Sequence, residues 1–176
     1  LGCGCDSFLD ETNYSDVTSE GGYYDTEAGL NAVVNACYTP LRFWAGKEDA
    51  IGLSETGTDI IAAGSGCVDN NMAAYTQSLD GTNSACTFYF DRFYAAINWC
   101  NTAIFHAQTV PNPSNDEILA TTLNKREAEA RVLRTFYYWI LTETFGDTYY
   151  TDQPSTSIVM NPVKTSTDNI YQYMFD

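Results

Sequence analysis

The sequence predicts an all-α domain, and three observations carry that prediction. The stretch Glu127 to Asp147, EAEARVLRTFYYWILTETFGD, places apolar residues at steps of three and four along its whole length. A second segment, from about Phe88 to His106, repeats that period. Side chains able to cap a helix, at Asp25 or Thr26, at Ser114 and at Ser166 or Thr167, stand before apolar-periodic runs. A chain of 176 residues can bury one sizeable core.

Taken in order, Leu1 to Tyr24 lacks helical period, is rich in Gly, Ser and Thr, and reads as an extended N-terminal segment. Residues 25–176 read as one α-helical domain. Its first helix starts at Asp25 and carries Leu30, Val33, Val34, Cys37, Tyr38 and Leu41 on one stripe, with Pro40 expected to kink or shorten it. Ala45 to Cys86 is the least regular third, with turn signals at Gly64 to Gly66, Asp69 to Asn71 and Asp80-Gly81. A loop of that length in a compact domain is uncommon unless it is functional or flexible.

The second helix buries Phe90, Phe93, Tyr94, Ile97, Cys100, Asn101 and Ile104. Asn101, on a buried face, must find partners and is expected to tie the helix to a neighbouring backbone. Pro111-Asn112-Pro113 breaks the chain, and Ser114 with Glu117 has the spacing of a capping box for the long third helix. Within that helix Ala130, Leu133, Tyr137, Leu141 and Thr144 form one stripe, and Ala128, Val132, Phe136 and Trp139 form another. Two apolar stripes predict a helix covered on both sides. Gly146 sits where a positive-φ residue would close it. Tyr149 to Thr165 reads as extended, and a last helix carries Ile170, Tyr171 and Met174 before the chain stops at Asp176, inside a periodic segment.

Composition limits function. The net charge of −15 argues against nucleic acid, which needs clustered cations to displace counterions, and against attraction to anionic lipid. No apolar run approaches the roughly 20 residues of a membrane-spanning helix. The six cysteines lack paired Cys-x-x-Cys spacing, so no zinc site is read. Cys37 and Cys100 read as buried thiols, and Cys67 with Cys86 as a candidate disulfide worth about 3 kcal/mol by loop closure. His106 is the only histidine, at a helix end where the dipole favours it, and no triad motif surrounds it, so no enzyme is read. Asp69, Asn70 and Asn71 have the oxygen donors of a structural Ca²⁺ site but not the EF-hand spacing, and turn formation explains them better. Trp44 and Tyr75 are candidate sugar-stacking rings, with Asp59, Asp69, Asn70 and Asn71 as hydroxyl-binding groups beside them. Trp99 is a further candidate, more readily explained by helix packing.

The run EARVLRTFYYWILTETFGDTYY resembles the signature helix of the SusD/RagB family, through Glu129, Ala130, Arg131, Arg134, Phe136, Tyr137, Tyr138, Phe145, Gly146 and Asp147. The two stripes expect Phe136 and Trp139 to be covered, and the reading of the resemblance is built on that covering. Phe90, Tyr94, Ile97 and Asn101 match a second family pattern, and Tyr149 stands where the family usually has Pro. The resemblance implies a tetratricopeptide-like helical repeat scaffold with long irregular loops, of which this chain would be the N-terminal part. It implies a cell-surface lipoprotein of Bacteroidetes-type bacteria, anchored in the outer membrane through Cys5, or through Cys3 after the lipobox-like Leu1-Gly2. Such a protein captures an oligosaccharide, or in the RagB-like branch a peptide, and hands it to a SusC-like TonB-dependent transporter. A helical-repeat interaction scaffold with no small ligand is the alternative from another functional class.

Overall fold

The computed structural model of the chain describes residues 23–45, 48–64, 74–77 and 79–175. Among them the elements are a 3-10 turn (Tyr23–Asp25) and six helices: α1 (Glu27–Cys37), α2 (Leu41–Ala45), α3 (Glu48–Ser54), α4 (Ser84–Thr109), α5 (Glu117–Phe145) and α6 (Thr167–Phe175). No strand forms among the described residues, and the fold is all-α. The expected N-terminal segment, with Cys3 and Cys5, lies outside the described residues except for Tyr23 and Tyr24.

Four of the six helices, α1, α4, α5 and α6, begin where a side chain satisfies orphan amides. Thr26 caps α1, its Oγ1 accepting from the Gly29 amide at 3.0 Å. Asn83 caps α4 by accepting from the amides of Ala85 and Cys86, which starts that helix four residues before the expected Phe88. The expected capping box at Ser114 does not form. Asp116 caps α5 instead, accepting from the amides of Ile118 at 2.8 Å and Leu119 at 3.3 Å. The reason is local: Asn115 takes φ +51°, and Asn112 holds Asp116 through two hydrogen bonds, so the turn delivers Asp116 to the cap position. Ser166 caps α6, while Asp147 accepts from both the amide and the hydroxyl of Thr167 and is thereby held below the usual carboxylate range. At the other end of α5, Gly146 takes φ +71°, as a glycine terminator should.

The long helices α4 and α5 form an antiparallel hairpin. Phe90 meets Phe145, Asn101 meets Arg134 and Gln108 meets Glu127, so early residues of one helix face late residues of the other. Both pack on α1, and a fully buried aromatic column, Tyr89–Phe93–Tyr137, stacks where they meet, with ring centroids 5.6 Å apart at each step. The phenol of Tyr137 donates to the Cys37 carbonyl at 2.6 Å. Cys37 and Cys100 are buried thiols as expected, and the Cys100 thiol is pushed up by its hydrogen bond with the Cys37 thiol and by burial. On α4 the buried stripe includes Tyr89, Ala96, Ala103 and Ala107, and Phe90 lies 39% exposed. The rest of the expected stripe stands: Phe93, Ile97, Cys100, Asn101 and Ile104 are buried and Tyr94 half-buried, with the alanines extending the buried face.

On α5 the first stripe is buried from Ala130 to Leu141, but the second is not. Ala128 and Val132 are exposed, Phe136 is half-buried and Trp139 is 43% exposed. The expected double covering is only partial: Phe136 packs against the core, while Ala128, Val132 and Trp139 are left open to solvent or to a cleft. Asn101 does what a buried amide must: its Nδ2 donates to the carbonyls of Thr151 and Gln153, and its Oδ1 accepts from Arg134. His106 is buried with its Nδ1 2.6 Å from Asp25, which also accepts from Thr109, so the 3-10 turn is tied to the end of α4.

That turn makes one glycine indispensable. A Cβ on Gly29 would stand 1.8 Å from the Tyr23 carbonyl oxygen, a backbone atom that cannot swing aside. In an open helix Gly→Ala stabilises by about 1 kcal/mol. Here Gly29→Ala is expected to destabilise by about 1–3 kcal/mol through overpacking and to loosen the Asp25–His106 contact. Urea unfolding of the variant checks the sign.

Candidate functional site

A cleft of about 490 Å³ opens between α2–α3 and the C-terminal half of α5. Its walls carry three aromatic side chains, Trp44, Tyr75 and Trp139, over an apolar floor of Leu53, Leu79 and Phe145, with Ser54, Thr56, Glu143 and Thr144 as polar groups. Clefts of this volume, mostly apolar with a few polar groups, are the usual form of a small-ligand site.

The fold holds each ring differently. Trp44 sits on the short α2, which follows Pro40. That helix is pinned to α4 by the Tyr89 phenol donating to the Phe43 carbonyl at 3.1 Å and by the Arg92 guanidinium over the Phe43 ring. The indole of Trp44 meets Tyr89 and Phe93 edge-on, at 6.0 and 5.9 Å, so the core fixes its plane. Trp139 projects from α5, braced by Phe136 at 5.8 Å, and keeps 43% of its surface open. Tyr75 is 71% exposed, at a backbone φ of +48°. Glu143 accepts from the Tyr171 phenol, and that hydrogen bond is the first cause of the raised Tyr171 pKa. The second cause is desolvation. An aromatic ring offers its face to the C–H side of a sugar, and the hydroxyl and carboxylate groups beside it can pair with sugar hydroxyls.

Of the residues expected to bind ligand, Trp44 and Tyr75 line this cleft together. Asp59 does not: it is exposed in the tight loop closed by the Thr56–Ile61 bridge, and it is absent from the cleft wall. Asp69, Asn70, Asn71 and Cys67, and with them the expected Ca²⁺ site and the Cys67–Cys86 pairing, lie outside the described residues. Among the described residues no cluster of His, Cys, Asp and Glu could hold a metal, and no helix is long and apolar enough to cross a membrane. Trp99 is 39% exposed rather than packed in the core. The residue that sequence reasoning missed is Trp139, which it had assigned to a covered stripe. The signal was present in the stripe itself, whose large aromatics require either a neighbour or a ligand.

A family model described as SusD-like, starch-binding associating with outer membrane, matches residues 7–174. No curated protein and no solved structure matches the chain. The family match holds although the second stripe of α5 is only partly covered, so the sequence motif carries the assignment and the covering of Phe136 and Trp139 does not.

Proposed function

Because the chain belongs to the SusD-like family of starch-binding proteins that associate with the outer membrane, we propose that it captures a neutral oligosaccharide in the cleft of Trp44, Tyr75 and Trp139. The observation that carries this reading is the convergence of those three rings on one concave surface. Trp44 is held by the core and Trp139 is braced by Phe136 before any ligand arrives, which lowers the ordering cost of binding. Sugar rings stack on the indoles and displace water from them. Ser54, Thr56 and Glu143 then set orientation through hydroxyl contacts.

The captured sugar passes to a SusC-like TonB-dependent transporter at the outer membrane, and a lipid on Cys5 or Cys3 keeps the protein at the extracellular face. The acidic balance of the chain, −15 overall, supports a neutral ligand over a polyanionic one. The α4–α5 hairpin is the kind of unit that a tetratricopeptide-like scaffold stacks, which supports its use as a framework against the transporter. Copurification with a transporter and mass spectrometry of the N-terminal cysteines test those two steps.

Affinity electrophoresis against a panel of polysaccharides and peptides tests the cleft. Neutral glucans are expected to retard the band. Removing one stacking ring costs about 1 kcal/mol or somewhat more, so Trp139→Ala is expected to weaken retardation about tenfold. Because that indole is half open, the melting temperature should hardly move. Retardation untouched in both Trp139→Ala and Trp44→Ala would sink the cleft as the site. Retardation by peptides alone would move the protein to the RagB-like, peptide-binding reading.

A further inference from the structure

A second cleft, of about 450 Å³, lies between the middle of α4 and the segment 149–159, and shares no lining residue with the first. Its outer wall has no regular secondary structure, yet side chains from two helices fix it in place. The Tyr94 phenol donates to the Tyr149 carbonyl at 2.7 Å, and Asn98 Oδ1 accepts from the Ser155 amide at 2.7 Å. Asn101 holds the carbonyls of Thr151 and Gln153, and the Tyr138 phenol both donates to the Thr151 carbonyl and accepts from its amide. The wall is therefore formed in advance of any ligand.

The lining has a consistent chemistry. None of the residues around the cleft is charged, in a chain where 18% are. Half-buried rings of Tyr94 and Tyr149 and the ring of Pro154 give it apolar faces. The hydroxyls of Tyr149, Thr156 and Ser157 line the cleft and take no hydrogen bond among the described residues. A carboxylate or phosphate entering here would meet no cation, and an ammonium no carboxylate. A purely apolar guest would strand the three hydroxyls, at a cost of about 1–3 kcal/mol each if they were sealed from water. A neutral polyol ring, with C–H faces and equatorial hydroxyls, satisfies both kinds of surface.

We propose that this cleft is a second, independent carbohydrate subsite that takes a neutral pyranose unit on Tyr149, with Asn98, Thr156 and Ser157 binding its hydroxyls. It does not depend on the Trp44 cleft being a site. With both occupied, one polysaccharide chain engages the protein twice, and its retention exceeds that of either contact alone.

Isothermal titration calorimetry of the full chain with a neutral malto-oligosaccharide tests the assignment. Two sites are expected in the unaltered protein, and Tyr149→Ala should remove one of them while Trp139→Ala weakens the other. The double variant Thr156→Ala/Ser157→Ala alters only exposed side chains that hold nothing in the fold. It should weaken the second site about tenfold, as loss of two hydrogen bonds would. A single site that survives Tyr149→Ala and Thr156→Ala/Ser157→Ala unchanged and disappears in Trp139→Ala overturns the second subsite and leaves the first standing. The converse, a single site sensitive only to Tyr149, Thr156 and Ser157, upholds the second and removes the first. No heat of binding in any form of the protein overturns both.

Discussion

Replacing Tyr137 with alanine is expected to cost about 4 kcal/mol of folding stability, within the range for deleting a large aromatic from a packed core. Tyr137 is fully buried and joins three helices at one point. It stands on α5, stacks on Phe93 of α4 at 5.6 Å, and donates to the Cys37 carbonyl at the end of α1 at 2.6 Å. Alanine would leave a ring-sized void that the aromatic column cannot collapse to fill, and it would orphan the carbonyl. Tyr137→Phe separates the two effects. It keeps the ring and loses only the hydrogen bond, so about 1–2 kcal/mol is expected. Urea unfolding followed by circular dichroism checks both values. A loss below about 1 kcal/mol for the alanine variant would mean that the core is not organised around this ring.

Burial also raises the pKa of the Tyr137 phenol above its ordinary value of 10.0, and likewise those of Tyr138 and Tyr94. The folded state therefore holds these protons more tightly than the unfolded state does. Their contribution to stability is complete below about pH 10, the ordinary phenol value, and falls as pH rises beyond it toward the folded-state values. Alkaline unfolding is expected, and Tyr137→Phe should make it shallower.

Asn101→Leu is expected to cost about 3–4 kcal/mol, because it strands several polar groups at once. The Asn101 side chain is 1% exposed and serves three partners: the carbonyls of Thr151 and Gln153 at 3.1 and 3.0 Å, and the Arg134 guanidinium at 2.8 Å. Leucine has a similar volume, so the void is small and the loss is almost wholly polar. The local consequence is specific. Residues 151–155 lose two anchors and should become the first site of proteolytic cleavage, while Tyr137→Ala weakens the molecule without selecting that segment. Limited proteolysis with mass mapping distinguishes them. Unchanged protection at 151–155 in Asn101→Leu would show that Tyr138 and Asn98 hold the wall without it.

Much of the fold was legible in the order of residues. The stripe Ala130–Leu133–Tyr137–Leu141 was read correctly, since period alone places those residues on one face. Asn101 was expected to tie a helix to a neighbouring backbone, and it does so, because a buried amide has few other options. Pro40 was expected to shorten the first helix, and α1 ends at Cys37. The cap of α5 differs from the expected Ser114: the positive φ of Asn115 delivers Asp116 to the cap position instead. The candidate site was half legible. Trp44 and Tyr75 were named from residue type, Asp59 was named and lies elsewhere, and Trp139 was assigned to a buried face.

The sequence by itself determined the long helices and the stripe from Ala130 to Leu141, because these depend on residues within a turn or two of one another; the short α2 and α3 and the cap of α5 came only with the fold. It also determined the family, through a motif contained in one helix. Only the tertiary structure decided which apolar face is covered and which is left to a ligand. Periodicity records that Trp139 lies on an apolar stripe but not whether another helix reaches it. Trp44, Tyr75 and Trp139 become neighbours only when α2 docks on the Tyr89–Phe93 column and sets its indole across from α5.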